Sequence, residues 1–230
     1  MSPTPEGDSS PQRLLIVEDH ELLAGTMALA LRQRGLEVHT AAGPSPDAVV
    51  GMARELAPVL VLLDLELGPP LGSGLDLIGP LVDAGARVVM VTGVTDRARL
   101  GACIEAGAAG VVGKAGGFDL LVDAVQRAVE GAPLLGEDER HALLDEVRHS
   151  RRADRDRLAP FGALSPREQA VLARLLEGES AETIADRSYV SVATVRSHIR
   201  AILLKLGVNS QLAAVALARR AGWAPSDQYP

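Results

Sequence analysis

Short apolar runs alternate with helix-length segments through the first half of the chain, and this alternation is the feature that most constrains the fold. The runs lie at Leu14–Val17, around Val38, and at Val59–Leu63, Val88–Val91 and Ala109–Val112. They are nearly continuous, which indicates strands that are covered on both faces. Because a strand is followed by a helical segment five times over, the sequence predicts an α/β fold with a doubly wound parallel sheet.

The segments between the runs have the length and the end signals of helices. The predicted helices are His20–Arg34, Pro46–Leu56, Gly74–Ala84, Thr95–Ala106 and Phe118–Glu130. Four of them are followed by glycine, the residue that most readily ends a helix in the left-handed conformation: Gly35, Gly85, Gly107 and Gly131. Cys103 is the only cysteine, and its place in a helical pattern predicts a packing role.

Polar side chains stand where four of the predicted strands end. Glu18 and Asp19 follow the first strand, Asp64 the third, Thr92 the fourth and Lys114 the fifth. In a doubly wound sheet these ends meet at one edge, where ligands bind. Lys114 is one of two lysines among 23 basic residues, and an ammonium is a compact charge suited to a single oxyanion. Asp19 taken singly could be a helix cap, but the five together predict a site for a metal ion and a phosphoryl group.

Charge divides the chain into an acidic front and a basic back. Residues 1–150 contain 11 basic and 22 acidic residues, a balance of −11, whereas residues 151–230 contain 12 and 8, a balance of +4. This asymmetry predicts two domains with different partners, and the basic one is the candidate for nucleic acid. The linker between them is predicted to be largely solvated and partly helical, with a narrow apolar stripe of Leu143, Leu144 and Val147. A dimer-forming helix is the alternative for this segment.

The N-terminal residues, the length of the apolar runs and the single cysteine indicate where in the cell the protein is found. Met1–Gln12 is rich in proline, serine and acidic residues, which predicts a disordered tail rather than a signal peptide. No apolar run has the length of a membrane span, and a single cysteine suits a reducing compartment. We therefore expect a cytoplasmic protein without a membrane partner.

Four helical patterns follow in the basic part, the first opened by Ser165-Pro166-Arg167-Glu168, a capping box with proline at the first helical position. The second and third are joined by a tight turn, which predicts a helix-turn-helix. In the third, a buried stripe is predicted at Val195, Ile199, Ile202 and Leu206. The small and basic residues off this stripe are the candidates for DNA contact in a major groove: Thr194, Arg196, Ser197, Arg200 and Lys205. On these residues alone, an ordinary amphipathic surface helix is the alternative.

Two sets of motifs resemble known families. Leu-Leu-Ile-Val-Glu-Asp-His, Val-Leu-Leu-Asp-Leu, Val-Met-Val-Thr-Gly and Ala-Gly-Val-Val-Gly-Lys resemble, in order, the receiver domain of bacterial response regulators. Leu-Ser-Pro-Arg-Glu and Val-Ser-Val-Ala-Thr-Val-Arg-Ser-His-Ile-Arg resemble the LuxR-type helix-turn-helix. Together they resemble a response regulator of the NarL/FixJ type. The resemblance implies a flavodoxin-like five-stranded receiver over residues 12–132, a linker over 133–160 and a small all-α, four-helix DNA-binding domain over 161–224.

The resemblance also implies residue roles. It implies the phosphoacceptor at Asp64, Mg²⁺ ligands at Glu18, Asp19, Asp64 and the backbone carbonyl of Glu66, and phosphate contacts from Thr92 and Lys114. It implies base or phosphate contacts from Arg196, Ser197 and Arg200, and DNA-backbone contacts from Thr194 and Lys205. A histidine kinase would phosphorylate the aspartate, and the second domain would then form a homodimer on DNA. The chain would not be an enzyme beyond self-phosphotransfer and autodephosphorylation.

Two departures from the receiver pattern leave an alternative open. Val111 stands where receivers usually have an aromatic residue, so a rotating ring cannot relay phosphorylation here. The loop after Asp64 is longer than usual and contains Pro69 and Pro70. The alternative is an atypical regulator whose receiver acts without phosphorylation, through a ligand or as a constitutive dimer. A flavodoxin-like enzyme is a more distant alternative, since the chain lacks a cofactor motif.

Overall fold

A computed structural model describes residues 12–41 and 45–225 of the protein. All of the predicted N-terminal tail except Gln12 lies outside the described residues. The chain divides into two compact units between Arg148 and His149, and each unit is treated separately below.

The first unit is built on a five-stranded sheet whose strands are all parallel, in the order β2-β1-β3-β6-β7. The strands of this unit are β1 (Arg13–Val17), β2 (Glu37–Ala41), β3 (Leu60–Leu63), β4 (Glu66–Gly68), β5 (Gly72–Ser73), β6 (Arg87–Thr92) and β7 (Gly110–Gly113). The short β4 and β5 form a separate antiparallel hairpin. The predicted doubly wound, five-stranded parallel sheet is confirmed.

Helices cover both faces of this sheet, and the period-two alternation of the strands supplies a core to each. These helices are α1 (Glu21–Gln33), α2 (Pro46–Leu56), α3 (Leu75–Asp83), α4 (Arg97–Glu105) and α5 (Phe118–Val129). A further helix, α6 (Glu137–Leu158), begins in this unit and continues past its end at Arg148. In β1, Leu14 and Ile16 pack with α1 and α5, whereas Leu15 and Val17 pack with α2, α3 and α4. Burial raises the pKa of Cys103 in α4 to about 11, so the thiol stays protonated and serves packing, as predicted.

The hairpin after β3 was not predicted, because it depends on a contact between residues that are ten apart. A Cβ atom on Gly74 would overlap the carbonyl oxygen of Asp64, so only glycine lets the returning chain pass so close. The N–H of Gly74 donates to the carbonyl of Leu65 at 2.9 Å. This close passage positions the segment that follows the strand end at Asp64.

Helix α6 is a continuous helix of 22 residues, longer than the partly helical linker that the sequence predicts. Leu143 and Val147 of the predicted stripe are both 3% exposed, and they lie against α4 at Gly101. Arg97 of α4 also pairs with Glu139 of α6 at 3.0 Å. The first part of α6 therefore belongs to the packing of the first unit.

Between residues 161 and 225 of the second unit, the structure shows the four helices that the sequence predicts: α7 (Pro166–Leu176), α8 (Ala181–Ser188), α9 (Val192–Leu206) and α10 (Gln211–Ala221). A serine side chain caps the start of each one: Ser165, Ser180, Ser191 and Ser210. The predicted capping box between Ser165 and Glu168 is present. Their shared core contains the whole predicted stripe of α9, and Phe161 stacks on Trp223 with ring centroids 5.5 Å apart.

No single helix in the described part of the chain is long and apolar enough to cross a membrane. Helices α9 and α10 together have the length and apolar composition of a span, but the chain bends by 57° at the break between them.

Candidate functional site

The ends of β1 and β3 bring a group of acidic side chains together, as the sequence predicts. Glu18 and Asp64 are buried, with 5% and 4% of each residue exposed, while Asp19 lies open to solvent. One ligand atom from each of these three residues and from His20 lies within 4.8 Å of all the others. Three carboxylates this close together repel one another unless a cation lies among them.

Lys114 supplies one such cation from the end of β7. Its Nζ lies 2.8 Å from Oδ2 of Asp64 and 2.8 Å from Oε2 of Glu18. Burial on its own would lower the pKa of Lys114, but its contacts with the two carboxylates outweigh burial and raise the pKa. The side chain is therefore an ammonium held beside two buried carboxylates.

Thr92 and Val111 lie on the neighbouring strands β6 and β7. Thr92 is 1% exposed, and its Oγ1 accepts a hydrogen bond of 3.1 Å from the N–H of Val94. Val111 pairs in register with Met90 and is half-buried against the core. A valine has no ring to rotate between inward and outward positions, so any signal from this edge must travel through other contacts.

The hairpin after Asp64 closes one side of the acidic group. A Cβ atom on Gly68 would lie 3.3 Å from Oδ2 of Asp19, so the hairpin runs directly beside that carboxylate. The side chain of Glu66 turns away and pairs with Arg99 of α4 at 3.0 Å. The carboxylate of Glu66 therefore ties the hairpin to α4.

The donor set fits a divalent cation. Carboxylate and carbonyl oxygens are the ligands that Mg²⁺ prefers in proteins. Oε2 of Glu18 is buried, and its close partner is Nζ of Lys114 at 2.8 Å. The same ammonium also serves Asp64, so a divalent cation would balance the negative charge that this single ammonium leaves in the group.

His20 belongs to this group although the sequence analysis placed it only at the start of a helix. Its Nδ1 lies 3.0 Å from Oε1 of Glu18 and 2.8 Å from Oδ1 of Asp19. The hydrogen bond to Glu18, and then the charge of Asp19, raise the pKa of His20. The one signal available in the sequence was its position directly after the acidic pair.

In the second unit, the predicted DNA-facing residues of α9 fall into two groups. Ser197 and Arg200 are exposed, and exposed Arg196 forms an ion pair of 2.8 Å with Glu182 of α8. The backbone N–H of Thr194 donates to Oγ of Ser191 at 3.1 Å, and the two hydroxyls are 2.8 Å apart. Thr194 thus lies in the capped first turn of α9, beside the exposed face that carries the two arginines.

Lys205 has a partner that sequence analysis did not foresee. Its Nζ donates to Oε2 of Glu168 at 2.7 Å, and the N–H of Ser165 donates to the same oxygen at 2.6 Å. The side chain of Glu168 is 7% exposed. The ammonium therefore neutralises a buried carboxylate and joins the end of α9 to the start of α7, whereas the partner of Arg196 on α8 is an exposed carboxylate.

Comparison with known proteins assigns each of the two units to a protein family. Residues 14–126 match the family described as "Response regulator receiver domain", and residues 162–218 match "Bacterial regulatory proteins, luxR family". The nitrate/nitrite response regulator NarP of Escherichia coli is 32% identical over 213 residues, which are 91% of this chain and 95% of NarP. The transcriptional regulatory protein LiaR of Bacillus subtilis is 28% identical over 214 residues, 90% of this chain and 97% of LiaR.

Among solved structures, the response regulator RcsB of Salmonella typhimurium is similar to this chain with 22% identity and a TM-score of 0.49, covering 91% of this chain and 98% of RcsB. The two family matches and the relatives along nearly the whole chain lead to the same assignment. The protein belongs to the two-component response regulators of the NarL/FixJ type, with a receiver domain and a LuxR-type DNA-binding domain.

Proposed function

We propose that this response regulator accepts a phosphoryl group on Asp64 from a sensor histidine kinase and that the phosphorylated form is the one that dimerises on its DNA sites. The observation that carries the proposal is the environment of the Asp64 carboxylate. It is buried, it contacts the ammonium of Lys114 at 2.8 Å, and it lies within the acidic group at the sheet edge.

The chemistry follows from that environment. A carboxylate oxygen of Asp64 attacks phosphorus in line, the bond from phosphorus to the donor's nitrogen breaks, and an aspartyl phosphate forms. The donor histidine keeps the electron pair of the broken bond. Lys114 and the hydroxyl of Thr92 contact phosphoryl oxygens, and the ammonium balances the charge brought in by the incoming group. Glu18, Asp19, Asp64 and the carbonyl of Glu66 would hold Mg²⁺, which when bound neutralises the remaining negative charge.

The reaction is confined to the chain's own aspartate. We propose no turnover of another substrate, only self-phosphotransfer and hydrolysis of the aspartyl phosphate. The rival function, a receiver that acts without phosphate, is motivated by Val111 and by the long loop after Asp64 that contains Pro69 and Pro70. The pairing of Lys114 with both buried carboxylates supports the phosphate-controlled function, since such an ammonium suits the contact with a phosphoryl group.

The test is covalent labelling of the full chain. The protein is incubated with Mg²⁺ and a small acyl-phosphate donor, and its intact mass is measured. We expect one added phosphoryl group in the wild type and in the control Asp76→Asn, which changes an aspartate of α3 outside the pocket, and none in Asp64→Asn. Labelling of Asp64→Asn, or none in the wild type with any phosphodonor, would contradict the proposal.

The DNA-binding half of the function rests on α9 and α10. Arg196 and Arg200 are four residues apart on one exposed face of α9, which suits a helix that enters the major groove. Leu212 of α10 is 78% exposed and Leu204 of α9 is 84% exposed, so apolar surface lies open on this small domain. We propose that a second copy covers it, with each copy reading one half-site in the cytoplasm.

A further inference from the structure

The start of α8 places a carboxylate beside the arginines of α9. Oε1 of Glu182 lies 2.8 Å from Nη2 of Arg196, and the two residues are 14 apart in the chain. Both side chains are exposed, so the pair contributes little to the stability of the domain. Its main consequence is that it fixes where the guanidinium of Arg196 lies.

Glu182 lies in a groove whose other polar residues suit DNA. This α8–α9 groove is lined by Arg196 and Arg200 and by the uncharged Ser180 and Gln211. Among the lining residues in the described part of the chain, Glu182 is the only acidic one. A hydrogen bond from its own backbone N–H, and then one from Arg196, lower the pKa of Glu182, so the carboxylate stays charged. A permanent negative charge therefore lies where two arginines would meet DNA.

A guanidinium can keep this partner while it contacts a base. It has five N–H donors in a planar fork, and one contact with Glu182 leaves the others for another acceptor. Guanine offers two uncharged acceptors, O6 and N7, in the major groove. A phosphate is an anion, and the carboxylate already beside Arg196 would repel it. The pair is thus compatible with a base contact and opposes a phosphate contact from the same guanidinium.

We propose that Glu182 is a specificity-determining residue for DNA binding: it positions the guanidinium of Arg196 for a base contact and opposes the phosphate contacts that DNA of any sequence provides. Phosphate contacts supply essentially all of the affinity for non-specific DNA, so this carboxylate lowers that affinity more than the affinity for a true site. Discrimination of this kind penalises the wrong partner. The proposal rests on the proposed function, because it requires α9 to enter the major groove.

The test compares the affinities of the full chain for two DNA probes. Duplexes selected by the wild type from a random-sequence library are the specific probe, and unselected duplexes of equal length are the non-specific one. In Glu182→Gln, affinity for unselected DNA should rise roughly fivefold, the factor for one repulsion between unit charges about 4 Å apart in water. Affinity for the selected duplex should not rise, so the ratio of the two affinities should fall.

Glu177→Gln is the matched control, since it makes the same change of charge at the end of α7, outside the lining of the α8–α9 groove. The ratio should not change in this variant. All titrations are run with and without the phosphodonor, so that the result does not depend on the labelling of Asp64. Fluorescence of Trp223, which stacks in the core of the second unit, checks the fold of each variant.

Removal of Arg196 separates positioning from the effect of charge alone. If Glu182 acts through Arg196, Glu182→Gln should change the ratio much less in an Arg196→Ala background. The salt dependence of binding gives a second readout. On unselected DNA its slope should steepen by about 0.9 in Glu182→Gln, because the released guanidinium gains one phosphate contact.

Three outcomes would overturn the proposal: an unchanged ratio in Glu182→Gln, the same change in Glu177→Gln, or an undiminished change in the Arg196→Ala background. Equal weakening on both probes leaves the ratio unchanged and would mean that Glu182 only supports the start of α8. Unchanged binding after replacement of Arg196 and of Arg200 would instead contradict the role of α9, and with it the proposed function. Failure at Glu182 alone leaves that function intact.

Discussion

Gly101 is the position where replacing a single hydrogen by a methyl group should most directly test the packing of α6 on α4. A Cβ atom there would overlap the carbonyl oxygen of Leu143 and would lie 2.6 Å from Cγ2 of Val147. Ordinary carbon contacts lie at about 3.5–4.0 Å, so α6 must retreat by roughly 1 Å. Because one obstructing atom belongs to the backbone, a change of side-chain rotamer cannot relieve the clash.

The size of the effect follows from two opposing contributions. Alanine stabilises the interior of a helix by about 1 kcal/mol relative to glycine, whereas overpacking costs about 1–3 kcal/mol. Detachment of α6 instead would expose Leu143 and Val147, at about 1.5–3 kcal/mol each, so a retreat is the cheaper response. For a clash with backbone we take the upper part of the overpacking range, and we expect Gly101→Ala to destabilise the first unit by about 1–2 kcal/mol.

Gly51 of α2 is the matched control, since nothing lies within 4 Å of the Cβ atom that a substitution would add there. Gly51→Ala should raise the stability of the first unit by about 1 kcal/mol, the opposite sign for the same chemical change. Urea unfolding followed by circular dichroism reports both shifts. The single tryptophan, Trp223, stacks on Phe161 in the second unit, so its fluorescence transition should not move in either variant.

Hydrogen exchange then locates the effect. Amides of residues 139–148 should lose protection in Gly101→Ala and keep it in Gly51→Ala. If Gly101→Ala proves as stabilising as the control and α6 keeps its protection, the described packing of α6 on α4 is wrong.

Three further predictions concern the second unit. Burial alone would raise the pKa of Glu168, but hydrogen bonds from Lys205 and Ser165 outweigh burial and lower the pKa. The stability that this carboxylate contributes should therefore be complete at pH values above the ordinary carboxyl pKa and should be lost as the pH falls through the lowered pKa. In urea unfolding measured across pH, Glu168→Gln should reduce this loss of stability at acidic pH. Arg196→Ala and Arg200→Ala should each weaken DNA binding without unfolding the domain, and one that contacts a phosphate should reduce the salt slope by about 0.9; unchanged affinity in both would mean that α9 is not the reading helix. Leu212→Glu should leave the domain folded and abolish paired occupancy of half-sites in footprints, whereas intact paired footprints would exclude α10 as the dimer surface.

Much of the fold could be predicted because its signals are local. Buried parallel strands appear as apolar runs, and serine caps and terminal glycines bound the helices to within a residue or two, as at Ser191 and Gly207 around α9. The pocket residues could be predicted for the same reason, since parallel strands place their ends at one edge. The pocket residues come together because the strands are parallel, and the alternation of strands and helices in the sequence already predicts a parallel sheet.

The features that were missed depend on contacts between distant residues. The hairpin after Asp64 depends on the close approach of Gly74 to the carbonyl oxygen of Asp64. No residue pattern within that loop predicts a strand. Lys205 resembled the arginines of α9 in sequence, but its partner Glu168 lies 37 residues away. The length of α6 was hidden because only two of its residues are buried, so its charged pattern indicates solvated chain and not a docked helix.

The docking of α6 has a consequence for exchanging modules between regulators. The receiver family match ends at residue 126, yet Leu143 contributes to the core beneath α4. A chimera joined at the family boundary would present the groove at Gly101 to a foreign helix that was never selected to approach it so closely. The natural point of exchange therefore lies inside α6, after Val147, where the transplanted receiver carries its own covering helix.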